Sequence, residues 1–164
     1  MNFKVKNSAG YTLIEILVAI TIVGLLFGVG YANFRGFSQR QAVLNAGKLI
    51  QGDLRLAQQM ALGGQKPDNV MCDSPNTLNG YNFKVYSTSE YKIEADCSGG
   101  SVATKEVTLS PDVLLSTPVP NPISFKVLGN GTNIPSSENA ILVLSQVGTG
   151  SSFTITLTSG GQIQ

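Results

Sequence analysis

Two hydrophobic periods divide the chain. From Tyr11 to Phe34 the residues are apolar almost without a break, and Glu15 is the only charged side chain in that run. As a helix it would extend roughly 36 Å at about 1.5 Å per residue, enough to cross a bilayer. Beyond it, Val43, Gly47, Ile50, Leu54, Ala57 and Ala61 recur at alternating intervals of four and three. That spacing draws one apolar-to-small stripe along a helix, which Leu44, Leu49, Leu56 and Met60 would widen. Arg40, Lys48, Asp53 and Arg55 are left for the remaining surface. Gly63-Gly64 and Pro67 are stop signals. One helix over residues 11–62 is predicted; the seam is too short and too small for a coiled coil.

From Tyr81 the period changes to two. Residues 81–86, 91–95, 123–127 and 153–157 alternate apolar with polar, and Ala140–Leu144 is a nearly continuous apolar run. Clusters of Gly, Ser, Asn and Pro separate them, and a shorter strand fits near residues 102–109. The pattern predicts one antiparallel sheet system with one face on the helix and the other in water. The fold class expected is α+β. The predicted organisation is a short polar stretch over 1–10, an apolar helix of membrane length over 11–34, and its amphipathic continuation over 35–62. A connection over 63–80 and a β-sheet domain over 81–164 complete it.

Composition narrows the function classes. Of 164 residues only 13% are charged, and Lys plus Arg total 11 against 10 Asp plus Glu. Without Lys4 and Lys6 the balance is 9 to 10, so no basic block marks a nucleic-acid binder. There is no His, which removes Ser-His and Cys-His nucleophile pairs. No Gly-rich phosphate loop follows a strand. The sequence is read as non-enzymatic and without a cofactor. Asp68, Asn69, Asp73, Ser74 and Asn76 offer oxygen ligands, but their spacing matches no calcium loop, and a solvated loop is the simpler reading.

The N-terminus admits three readings. Lys4 and Lys6 before an apolar run have the polarity of a secretory signal. A conventional signal, however, is cut after its apolar core, and Tyr31, Phe34, Arg35 and Phe37 offer no small-residue site there. A plain transmembrane anchor leaves Ser8-Ala9-Gly10 without a role. It also leaves Glu15 in hydrocarbon, at roughly 2.5–3.5 kcal/mol near a helix centre, unless the carboxylate snorkels to the headgroups.

The third reading accounts for both features. Gly10-Tyr11-Thr12-Leu13-Ile14-Glu15 resembles the cleavage and methylation motif of type IV prepilins and type II secretion pseudopilins. The resemblance implies that a prepilin peptidase cuts between Gly10 and Tyr11, removing 1–10 as a basic leader, and N-methylates Tyr11, and that 11–34 is first a transmembrane and then a filament-core helix. It implies that Glu15, then fifth in the chain, pairs with the terminal amine of a neighbouring subunit during assembly. The partners implied are other pilin or pseudopilin subunits through the N-terminal helix, an inner-membrane assembly platform, and the lipid bilayer beforehand. The location implied is a single pass of the cytoplasmic membrane, with the β domain outside the cytoplasm, and then a periplasmic or cell-surface filament.

The chain departs from the pattern in two places. Tyr11 stands where Phe is commoner, and no proline precedes Pro67, whereas many pilins carry one inside the helix. Gly24, Gly28 and Gly30 would weaken the helix locally. Gly24 and Gly28 also form a G-x-x-x-G pair that permits close helix approach, although glycines are common in membrane helices anyway. The closing order, residues 123–129, 140–145, 153–158 and Gly161-Gln162-Ile163, resembles more loosely the C-terminal half of GspH/FimT-type minor pseudopilins.

Cys72 and Cys97 lie outside the apolar run, and an oxidising compartment would let them pair and close a loop of about 25 residues. Two free thiols are the alternative; without His they do not supply a zinc set. Lys84, Lys92, Lys105 and Lys126 fall on predicted strands. Some minor pilins bind DNA near the C-terminus, but the tail Gly160–Gln164 has no Lys or Arg, which argues against nucleic acid. The reading is a structural minor pilin or pseudopilin. A filament-tip module binding DNA, a surface or a secreted protein is the alternative, followed by a simple membrane-anchored surface protein.

Overall fold

The computed structural model describes residues 10–164, without the side chains at 29, 30, 32, 33 and 35. Lys4 and Lys6, expected in a basic leader, lie outside the described residues. Helix α1 spans Leu13–Leu62, and the chain divides into two compact units between Ser38 and Gln39.

In the first unit α1 has no apolar partner among the described residues: Leu13, Ile14, Ile20, Leu25, Leu26 and Phe27 are all exposed. Among the described residues no helix is long and apolar enough to cross a membrane.

In the second unit α1 packs on β-sheet. Val43, Gly47, Ile50, Leu54, Ala57 and Ala61 are all buried, the stripe expected from their spacing. Gly47 is there for contact: a Cβ at that position would collide with the ring of Phe153. Leu44, Leu49 and Leu56 do not widen the buried stripe. They sit on its shoulders, each more than a third exposed, because the sheets cover only the side centred on Ile50 and Leu54. The helix stops in a Schellman turn, in which the Gln65 N–H donates to Met60 O at 3.1 Å and the Gly64 N–H to Ala61 O at 3.2 Å. Gly64 supplies the positive φ of 59° that this turn requires.

Seven strands follow: β1 Leu78–Ser87, β2 Glu90–Cys97, β3 Gly100–Thr108, β4 Val113–Leu115, β5 Ile123–Lys126, β6 Asn139–Gln146 and β7 Ser152–Thr158. All pairings are antiparallel. They form two sheets rather than one system, in the orders β3-β2-β1-β5 and β4-β6-β7. Prolines explain the break. Pro118, Pro120 and Pro122 lie between β4 and β5, and proline brings no N–H to a ladder. Side-chain amides stand in for the missing pairing. Asn121 exchanges two bonds with the Val85 backbone at 3.0 and 2.9 Å. Asn133 likewise accepts from the Ser124 N–H and donates to Pro122 O, both at 2.9 Å. The tail closes β7 through reciprocal Thr156–Gln164 backbone bonds at 3.0 Å and an Ile163–Leu157 bridge.

Tyr81, Phe83 and Val85 face Ala95, Ile93 and Tyr91 across β1 and β2, and with Leu142, Leu144, Ile155 and Leu157 they make one core with the helix stripe. Inside it lies a carboxylate. Asp53, expected at the surface, is only 4% exposed. Its Oδ2 accepts from the Tyr91 hydroxyl at 2.7 Å, and its Oδ1 is 2.5 Å from Lys105 Nζ. A buried carboxylate survives when paired and hydrogen-bonded on both oxygens, and β2 and β3 deliver one partner each.

Burial, with the bond to Asp53 and its charge, pushes the Tyr91 hydroxyl far above its ordinary value near 10. The neutral phenol therefore stabilises the fold at every pH below about 10. That contribution is lost as pH rises from there toward the folded-state value. Tyr91→Phe is expected to flatten the alkaline limb of stability. Asp53→Ala, which strands a buried hydroxyl and a lysine, is expected to lower unfolding free energy by about 2–4 kcal/mol at neutral pH. Denaturant titrations of full-length protein in detergent between neutral pH and pH 11 check both; an alkaline limb unchanged in Tyr91→Phe would refute the assignment.

Candidate functional site

The N-terminal junction is open. Gly10, Tyr11 and Thr12 precede the helix in irregular backbone and are exposed. A Cβ at Gly10 would meet nothing within 4 Å. The Gly10–Tyr11 peptide is thus exposed. Thr12 begins the helix. Its carbonyl accepts from the Glu15 and Ile16 N–H groups at 3.1 and 3.2 Å, and its hydroxyl accepts from the Glu15 N–H at 3.3 Å. That is the N-cap arrangement, which satisfies one of the orphan donors of the first turn. The signal was present as T-x-x-E, the spacing of a capping box, and the reading of Gly10, Tyr11 and Glu15 overlooked it. Glu15 lies in the first turn, at the positive end of the helix dipole. No cation lies within ion-pair distance of it among the described residues.

Cys72 and Cys97 lie in the other unit and are bonded to each other, with Cα atoms 5.2 Å apart. The bond ties the connection after α1 to the end of β2. Hydrogen bonds hold the same loop: the Met71 N–H donates to Asn69 Oδ1 at 3.0 Å, Asn76 Nδ2 to Val70 O at 3.3 Å, and Lys66 Nζ to Asn76 O at 2.6 Å. Asn69 and Asn76 are thereby engaged with backbone, and Asp68 and Asp73 point to solvent. Among the described residues no group of three or more His, Cys, Asp or Glu is placed to hold a metal.

The strand lysines do not gather into a strip. Lys84 and Lys92 face each other across β1 and β2 and flank the Tyr86 ring, 4.7 and 4.9 Å from its centre. Lys92 is neutralised by Glu106 at 2.9 Å and Glu90 at 3.5 Å. Lys105 turns inward to Asp53, and Lys126 stands on β5, the far edge of the sheet.

Residues 5–31 match the family model of the prokaryotic N-terminal methylation motif. No curated protein and no solved structure matches the chain. The match takes in Gly10, Tyr11, Thr12 and Glu15, so the chain is type IV prepilin-like at its N-terminus. It leaves the sheet-bearing region untouched.

Because the Cys72–Cys97 bond spans 25 residues, its loss is expected to cost about 3 kcal/mol in the chain-entropy model. Reduction should lower the melting temperature while far-UV helix signal persists below the transition. The bond restrains loop and sheet, and α1 makes its own hydrogen bonds. A melting temperature unaffected by reductant would refute that role.

Proposed function

We propose that this protein is a structural subunit, a minor pilin or pseudopilin, of a type IV pilus or type II secretion pseudopilus. A membrane peptidase removes residues 1–10 and methylates the amine of Tyr11. The subunit waits in the cytoplasmic membrane through residues 11–34 and enters the filament through the same helix. The observation that carries the reading is the methylation motif over residues 5–31, with an exposed Gly10–Tyr11 junction placed before the apolar run.

The energetics of Glu15 support assembly over simple anchoring. A first-turn carboxylate gains about 0.3–1 kcal/mol from the helix dipole. Full immersion would cost at most roughly 2.5–3.5 kcal/mol, the insertion-scale figure for a helix centre. The dipole leaves most of that cost standing. A cation from another chain, the methylated amine of a neighbour's Tyr11, supplies the rest and makes assembly preferable to remaining dispersed in lipid.

Intact mass of protein extracted from cells with and without the peptidase tests the processing step. The expected product begins at Tyr11 and carries one methyl group. Retention of Met1 in peptidase-competent cells would sink the reading. Gly10→Val is expected to block cleavage, and Gly10→Ala to be partly tolerated.

Glu15→Gln separates assembly from snorkelling. Glutamine keeps the length and most of the polarity, so a snorkelling residue would be little affected. If the charge is needed, the variant is cleaved and inserted normally but its share of sheared filaments falls strongly. Breaking one side of a buried pair costs about 3–5 kcal/mol. Normal incorporation would exclude the carboxylate as an assembly partner.

A further inference from the structure

The solvent face of α1 in the second unit carries one sign of charge. Arg40, Lys48 and Arg55 are exposed there, and none forms an ion pair among the described residues. The only acid on that stretch, Asp53, is turned inward to Lys105. At the centre of this face sits Gly52, exposed, with nothing within 4 Å of where a Cβ would be. The packing of the unit therefore does not require glycine, and a solvent-facing helix interior disfavours it.

The residues three and four positions away are a helical residue's surface neighbours. For Gly52 they are Lys48, Leu49, Arg55 and Leu56. Leu49 is 44% and Leu56 38% exposed. Gly52 is thus the floor of a shallow socket walled by two leucines and two unpaired cations. Such a socket fits an apolar knob flanked by carboxylates.

The same chain presents that knob elsewhere. In the loop after α1, Val70 is 79% and Met71 44% exposed, bracketed by exposed Asp68 and Asp73. Neither acid has an ion-pair partner among the described residues. The Cys72–Cys97 bond and the Asn69 and Asn76 hydrogen bonds hold the loop in place, so docking it costs little ordering entropy. The β6–β7 turn, by contrast, sets one exposed valine, Val147, beside a single acid, Asp112.

We propose that the Asp68–Asp73 loop of one subunit docks on the Gly52 socket of a second copy, Val70 over the glycine, Asp68 and Asp73 against Lys48 and Arg55. Knob and socket are different patches, so the contact is heterologous. Each subunit keeps one free knob and one free socket, the condition for an open helical array. The inference rests on the filament reading and adds to the N-terminal helix a second, charge-specified contact.

Co-expression of full-length chains carrying Gly52→Cys and Val70→Cys separately tests it, with sheared filaments oxidised and run without reductant. Peptide mapping is used to verify that Cys72–Cys97 is intact. The expected result is a disulfide-linked dimer joining the two variants, absent when either is expressed alone. Wild-type protein found in filaments with no cross-link between the variants overturns this proposal and leaves the filament reading standing. Self-linking of Gly52→Cys alone also overturns it, by showing that the socket meets another copy's helix. Wild-type protein confined to membranes overturns both. As an independent arm, Lys48→Glu with Arg55→Glu is expected to reduce incorporation at least about tenfold. Adding Asp68→Lys and Asp73→Lys to the same chain should restore it, whereas failure of that rescue in folded protein overturns the charge pairing.

Discussion

Asp53 fixes how α1 sits on its sheets. Apolar contact is non-directional, so the stripe of Val43, Ile50, Leu54 and Ala57, even with Gly47 close against Phe153, does not by itself hold α1 to named partners. A carboxylate held at 2.7 Å by Tyr91 from β2 and at 2.5 Å by Lys105 from β3 does. Rolling the helix either way would pull one oxygen off its partner and leave a buried charge half satisfied, which costs more than the packing it would gain. Asp53 also joins the helix to two strands distant in sequence, so its energy belongs to the tertiary fold and not to any one element. The faces that α1 shows to solvent, including Lys48, Gly52 and Arg55, follow from that rotation.

Much of the fold was legible because burial leaves periodicity. The helix stripe, the stop at Gly63-Gly64 and the alternating strands could be read from the chain, since each residue's environment repeats with the geometry of its element. Asp53 was not legible. A charged residue beside an apolar stripe looks like the edge of the wet face until two partners, 38 and 52 positions away, are brought to it. Nor was the division into two sheets. Strand β4 is three residues long, too short to show a period. Its pairing with β6 rather than β5 depends on what the prolines between β4 and β5 forbid, and on Asn121 and Asn133 substituting for backbone.

The candidate site divides in the same way. Gly10, Tyr11 and Glu15 fall within a local motif, matched over residues 5–31, that can be read without tertiary contacts. Thr12 carries an equally local T-x-x-E signal but was obscured by the stronger apolar run around it. The socket at Gly52 needs structure to be seen. Leu49 and Leu56 read as core by spacing, and only their exposure beside a glycine with no packing role turns the helix exterior into a surface with a shape.

The two carboxylates of α1 show why one helix serves two ends. Asp53 finds a phenol and an ammonium within its own chain, so its desolvation is settled when the β domain folds. Glu15 has the dipole and the Thr12 cap, and among the described residues no cation. In water that is sufficient, because a solvated carboxylate needs no partner. In hydrocarbon it is not, because the dipole offsets at most about 1 of roughly 2.5–3.5 kcal/mol. On the proposed assembly, a neighbour's terminal amine removes that remainder, and the carboxylate need not snorkel to the headgroups. On that reading the chain folds on its own account through Asp53 and is completed only in the filament through Glu15. Stability of the domain and drive to assemble are therefore separable properties of the same helix, set by where each acid's counter-charge comes from.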